Sequence, residues 1–281
     1  MTDIIKVELF RIKKSVLFWV MLAITAALPI LSAVMVASLI GVVGGIGGAV
    51  GEPDVGITAW ELIRQQGLTT ASFQAWAQIS SNVAVLAVIT SAVVLSGEFN
   101  DGTMRNVVLA NKTRTEMYFG YLIVSLIMAL SFLAANFATT MIVVAPIFGF
   151  GGMDAGQAVS ACLTSLAMGI LAILFMESCM CMFLFATRKQ WITILIPLVI
   201  CMAVPGVLTF LISLIVATMA VKGQNVSLTE VLRWVPFSGI SLYNPANIDG
   251  VTVGMNILYM ALFTAMFVVI GYFAFRKADL K

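Results

Sequence analysis

The chain has 281 residues, of which 61% are hydrophobic and 10% charged, with a formal net charge of +2 and no histidine. Soluble domains carry roughly 45–50% apolar and about 25% charged residues, so a water-soluble fold cannot hide this much apolar surface and the chain's solvent must be largely lipid. The lack of histidine excludes every triad or metal site that depends on imidazole.

Runs of about 20 mostly apolar residues predict six spans, at about 16–40, 78–97, 118–148, 157–186, 190–219 and 251–274. They read as helices, because an open strand in lipid leaves backbone groups unpaired and no barrel-type alternation is visible. The expected fold is all-α, a single polytopic transmembrane domain over residues 1–281. The first run continues beyond the length of a cleavable signal, so it reads as an anchor as well as a targeting signal.

Between spans one and two, residues 41–77 open with GVVGGIGGAVG, whose Gly41/Gly45, Gly44/Gly48 and Gly47/Gly51 pairs have small-xxx-small spacing. Two readings stand: close helix packing or a hinge, and a flexible glycine linker. AWELIRQQGL, at 59–68, reads as a short helix lying on the membrane surface.

Residues 97–121, GEFNDGTMRNVVLANKTRTEMYFGY, join spans two and three. Glu98, Asp101, Arg105, Lys112, Arg114 and Glu116 make this segment charge-balanced, unlike a simple basic anchor. Asn100-Asp101-Gly102 is a turn signal, and Thr103 is placed to cap a short helix through MRNVVLAN. Such a helix presents Met104, Val107 and Val108 to a neighbour; the bland alternative is a solvated loop.

Span four carries Glu177, the one acid placed within a span. It lies 11 residues before Arg188, about 16 Å along a helix and so near the middle of a roughly 30 Å apolar core. An acid there costs on the order of 2.5–3.5 kcal/mol on insertion scales, so it should face protein or water. Ala161, Ser165, Gly169 and Glu177 share one face, broken by Ile173, and span three offers Ser125, Ala129, Asn136 and Thr140 as a matching side. Glu177, Ser165, Gly169, Asn136 and Thr140 are therefore candidates for a translocation path or a helix interface. Glu177 either contacts a solute or locks two helices. Cys162, Cys179, Cys181 and Cys201 all fall inside apolar runs and read as packing residues; Cys179 and Cys181 point to opposite faces, so no metal is expected. The last outer connection, 220–250, holds Trp234, Phe237 and Tyr243 and suits an interfacial loop.

Orientation follows from the basic residues. With the N-terminus inside, twelve Lys and Arg lie on the cytoplasmic side, and only Arg64, Lys222 and Arg233 lie outside. Trp19 and Trp191 fall near inner ends, and Trp60, Trp76 and Trp234 near outer ones, as an aromatic belt would have them. Both termini are expected in the cytoplasm. No G-x-x-x-x-G-K-[ST] occurs and no extramembrane segment is large enough for a catalytic domain, so no enzyme activity and no cofactor are expected. The short basic clusters give nucleic-acid binding no support.

The run Glu98, Gly102-Thr103, Arg105-Asn106, Leu109 and Thr113-Arg114 resembles the inner loop of type-2 ABC exporter permeases. IIKVELFRIKKS, with a narrow apolar stripe of Ile5, Leu9 and Ile12, resembles that family's interfacial entry helix, and FRKADLK resembles its usual ending. The family architecture matches over the whole chain, and the sequence motif over about 20 residues and the two ends. Many relatives carry a lysine where this chain has Tyr121, so no role tied to that lysine carries over. The resemblance implies a six-span permease in a plasma membrane, of bacterial type, paired with a second copy or a paralogue. It implies a cytoplasmic ATP-binding cassette subunit as partner, docked on a coupling helix whose contacts are Glu98, Gly102, Thr103, Met104, Arg105, Asn106 and Val108. The apolar path suits an amphipathic or hydrophobic solute, such as a peptide antibiotic or drug. The rival readings are an ion-coupled secondary transporter and a non-transporting membrane anchor or sensor.

Overall fold

The computed structural model describes residues 2–49, 83–97, 99, 113–144, 155–221 and 250–277, and all regular structure among them is helical. Helix α1 (Thr2–Lys14) meets α2 (Val16–Ala49) at Ser15, and the first part of α2, Val16–Leu31, is bent 71° from α1. At the bend the Ser15 N–H donates to the Ile12 carbonyl at 3.0 Å and the Trp19 indole N–H to the Lys13 carbonyl at 2.9 Å. Those are two of the carbonyls that the end of α1 would otherwise leave unpaired.

The face of α1 turned inward is Ile4, Glu8 and Ile12, at four-residue spacing. Ile5 and Leu9, expected to form the stripe with Ile12, are half-buried at its margin. The face turns this way because Ile4 seats on Gly120, where an added Cβ would already lie 3.3 Å from the isoleucine. Val7 and Phe10 are left exposed, with the Lys14 ammonium 4.4 Å from the Phe10 ring centre.

Helix α2 runs on to Ala49, through the first glycines of the 41–51 run, where the sequence suggested either packing or a loose linker. Glycine costs about 1 kcal/mol in a helix; leaving its peptide groups unpaired in an apolar medium costs more. Helix α3 (Val83–Gly97) follows.

Helix α4 (Arg114–Thr139) starts on a capping box: the Thr113 hydroxyl accepts from the Glu116 N–H at 3.2 Å, and the Glu116 carboxylate accepts from the Thr113 N–H at 3.1 Å. It ends in one π-helical turn, Thr140–Val144. Helix α5 (Ala155–Thr187) turns into α6 (Gln190–Leu198) through Arg188, whose φ of 56° is the left-handed conformation usual for glycine. Its N–H donates to the Leu184 carbonyl at 3.0 Å and closes α5. Buried Pro197 lacks an N–H, and a π-helical turn at Val199–Ala203 joins α6 to α7 (Val204–Val221). Helix α8 is Gly250–Lys277.

Among the described residues, three helical stretches, Arg114–Val143, Leu166–Thr187 and Gly254–Lys277, are long and apolar enough to cross a membrane, and the bent α1–α2 pair makes a fourth if counted as one span. Val83–Gly97 and Gly206–Val216 are apolar but shorter. Within its apolar window Leu166–Thr187 is 78% buried against 17% for Gly254–Lys277, which puts α5 at the centre of the bundle and α8 on its outside. Tyr118, Tyr121, Phe132, Phe175, Phe185 and Phe275 are among the largest fully buried side chains.

Candidate functional site

Most buried hydroxyls in this bundle bond back to their own helix. Thr25 donates to the Met21 carbonyl, Thr90 to Leu86, Ser178 to Leu174 and Thr193 to Lys189, each at 2.6–3.0 Å. That is the least expensive arrangement in an apolar medium, since it needs no partner from another element.

Ser91 departs from this pattern. Its Oγ lies 2.7 Å from the Ala87 carbonyl and also 3.0 and 2.8 Å from the two carboxyl oxygens of Glu177. Glu177 is fully buried, and among the described residues no Lys or Arg pairs with it. A serine hydroxyl has one hydrogen. If it goes to the Ala87 carbonyl, both contacts are satisfied only when the carboxyl carries a proton and donates it to Ser91. A neutral carboxyl also avoids the several kcal/mol that an unpaired buried charge costs. Ser125 stands beside the carboxyl, but its hydrogen goes to the Leu122 carbonyl at 2.9 Å, and its oxygen lies 3.6 Å from the Cys181 sulfur. The cluster therefore joins α3, α4 and α5. Glu177 thus meets Ser91 on α3, a partner the sequence did not name, as well as Ser125 on the span-three side that it did.

The other candidates do not gather around Glu177. Asn136 is buried and donates through Nδ2 to the Thr25 carbonyl at 3.1 Å, which ties α4 to α2. The buried Thr140 donates to the Asn136 carbonyl at 2.9 Å. Asn136 is 11 residues from Ser125, about 16 Å further along α4. Gly169 is buried on α5, and Ser165 lies on the same helix. The structure thus holds two separate polar links between helices, at different depths. Cys179 and Cys181 are buried free thiols.

Glu98, Gly102, Thr103, Met104, Arg105, Asn106 and Val108 lie outside the described residues; the structure describes what brackets them. On one side Phe99 packs edge-on against Phe185 with ring centres 5.7 Å apart. On the other stands the Thr113–Glu116 capping box, and Arg114 donates to the Phe275 and Arg276 carbonyls at 3.2 and 2.9 Å. Thr113-x-x-Glu116 is a helix-start signature readable in the sequence, whereas nothing in the sequence marks Arg114 as a tie to the last helix.

The family model described as an ABC-2 family transporter protein matches residues 4–206. The chain belongs to the ABC-2 transporter family. No curated protein matches it. As an ABC-2 permease it is a multi-pass membrane transport subunit, a type that associates with an ATP-binding cassette chain. The match takes in the Ser91–Glu177 link, the Asn136–Thr25 link and the whole segment between Phe99 and Arg114. It ends at Gly206, short of α8.

Proposed function

We propose that this chain is the membrane half of an ATP-driven exporter, with six spans and both termini in the cytoplasm, working with a separate ATP-binding cassette subunit. The observation that carries this reading is the ABC-2 match over residues 4–206, which includes the charge-balanced segment 97–116. That segment is the docking element in this reading. Glu98 and Arg105 hold a short helix, and Met104 and Val108 fill a groove of the ATPase subunit. A firm frame for such an element is the capping box at Thr113 on one side and the Phe99–Phe185 packing on the other. A second copy or a paralogue completes the path. The apolar composition favours an amphipathic or hydrophobic solute, such as a peptide antibiotic or drug.

The test uses the chain co-expressed with a candidate ATP-binding cassette subunit from the same genome. Removing one partner of a desolvated charge pair costs about 2–5 kcal/mol, whereas a rim charge costs little. Glu98→Ala and Arg105→Ala should leave membrane insertion unchanged and lower transport-coupled ATP hydrolysis. Normal transport by both variants would make 97–116 a solvated connector.

A further inference from the structure

On α1 the exposed Phe10 side chain is surrounded by cations. Its neighbours at three- and four-residue spacing along the helix are Lys6, Val7, Lys13 and Lys14, all exposed. The Lys14 ammonium stands 4.4 Å from the Phe10 ring centre, a cation–π contact that keeps the charge beside the ring. Glu8 is buried on the inward face, where Arg11 meets it at 3.6 Å. The outward face thus gathers three ammoniums around one aromatic ring and a valine, while the acid between them in sequence is turned away.

Simpler readings account for less of this. Lys13 and Lys14, in the last turn, suit the negative end of the helix dipole; Lys6, in the first half of the helix, does not. A surface that met only water would gain nothing by exposing Val7 and Phe10, or Val16 and Trp19 just past the bend. From behind, α1 and the bend are held firmly. Ile4 seats on Gly120, the Trp19 indole N–H donates to the Lys13 carbonyl at 2.9 Å, and Phe18 stacks on Phe132 with ring centres 5.5 Å apart. Because the start of α2 is bent 71° from α1, a bilayer crossed by α2 meets α1 along its side. Phe10 and Val7 then reach the acyl boundary, and the lysines extend along the surface to the level of the phosphates.

We propose that the outward face of α1 is a binding site for acidic phospholipid headgroups, with Lys6, Lys13 and Lys14 on the phosphate and Phe10 and Val7 among the acyl chains beneath it. Bound lipid pins α1 on its seat against α4, so the charge of the inner leaflet sets how firmly that seat holds. A basic cluster alone would serve orientation. The apolar ring at its centre, and the acid turned inward, favour an anionic lipid surface over an acidic protein. The inference rests on the part of the reading above that makes α2 a span with the N-terminus inside, and not on the solute or the ATPase subunit.

The experiment titrates the full chain in detergent with phosphatidylglycerol, with phosphatidylcholine and with inorganic phosphate. Two signals are followed: the thermal midpoint, and the emission of an environment-sensitive label at Val7→Cys in a background without native cysteines. Phosphatidylglycerol should raise the midpoint and shift the label to the blue, and the other two should do neither at the same concentrations. Lys13→Gln combined with Lys14→Gln should raise the half-saturating phosphatidylglycerol concentration roughly twenty-five-fold, at about fivefold per cation, and added salt should weaken the wild-type response. Lys13→Arg combined with Lys14→Arg should retain it. A response equal in wild type and the glutamine variant, or equal for the two lipids, overturns the proposal and leaves the cations to orientation alone. An equal response to inorganic phosphate overturns it in favour of an unspecific anion site. A label that shifts only when an ATPase subunit is added overturns it by giving this face to a protein. The titration in detergent does not depend on orientation, so its failure leaves the reading of α2 as a span untouched.

Discussion

Ser91 on α3 and Glu177 on α5, 86 positions apart, meet with the serine oxygen 2.8 and 3.0 Å from the two carboxyl oxygens. Because Ser91 also stands 2.7 Å from the Ala87 carbonyl, the pair is fully bonded when the acid is neutral. Glu177→Gln keeps the shape and supplies an N–H in place of the acid's proton, so it should fold and transport like the wild type if the link is structural. Glu177→Leu removes one interhelical hydrogen bond, worth about 0.6 kcal/mol on average in membranes and up to about 1.7, and should lower the thermal midpoint in detergent slightly. A well-folded Glu177→Gln that no longer transports would mean that the charge itself is used.

Tyr118 has a buried hydroxyl without a hydrogen-bond partner among the described residues, and it points at Gly271, where an added Cβ would lie 2.5 Å from that oxygen. Gly271→Ala should therefore destabilise the protein by about 1–3 kcal/mol through overpacking. Tyr118→Phe removes an unsatisfied buried polar atom, so it should be neutral or stabilising. Combined with Gly271→Ala it should recover much of the loss. Additive effects in a thermal-unfolding cycle would count against this contact.

Glu8 is buried on the inward face of α1, with Arg11 at 3.6 Å. Burial raises its carboxyl above the ordinary range, and Arg11 offsets part of that. The folded protein thus holds this proton more tightly than the unfolded chain does. This contribution therefore favours folding at low pH and declines as pH rises from the ordinary value of about 4.3 through the raised one. Glu8→Gln should be more stable than the wild type at neutral pH, with the gap closing on acidification. A gap that widens toward acid would show that the Arg11 pairing outweighs burial.

The twelve-to-three division of Lys and Arg predicts a topology that can be tested directly. Single cysteines at Gly51 and Gln224, in a background lacking the four native ones, should react with an impermeant thiol reagent in intact cells. One at Asn111 should stay unlabelled until the membrane is opened. Reversed labelling would contradict both the orientation and the export direction.

The helical character was legible because apolar runs in lipid have one economical backbone solution, and the family was legible in the residues from Glu98 to Arg114. The burial of Glu177 followed from its place inside an apolar run, 11 residues before Arg188. Of its two neighbours, Ser125 lies on the span-three face named from sequence, whereas Ser91 did not follow, because spacing along one helix names a face and not every neighbour that face will meet. The same limit separated Asn136 from Glu177: both lie on plausible small-residue faces, yet Asn136 turns to Thr25 on α2. The run of α2 to Ala49 and the π-helical turns reflect competition for backbone partners, which residue type signals weakly. The ring cluster of Phe99, Phe185 and Phe275 joins residues up to 176 positions apart, and only the packed bundle brings them together.

The proposed exporter moves its solute only when a separate ATPase chain is bound and hydrolysing. Vesicles carrying the chain with and without the ATPase subunit can be loaded with a fluorescent amphipathic peptide, and its ATP-dependent movement can be followed beside phosphate release. Movement should require both chains and ATP, and the peptide should stimulate phosphate release. Movement driven by a proton or sodium gradient through the permease alone, with no effect of ATP, would contradict it.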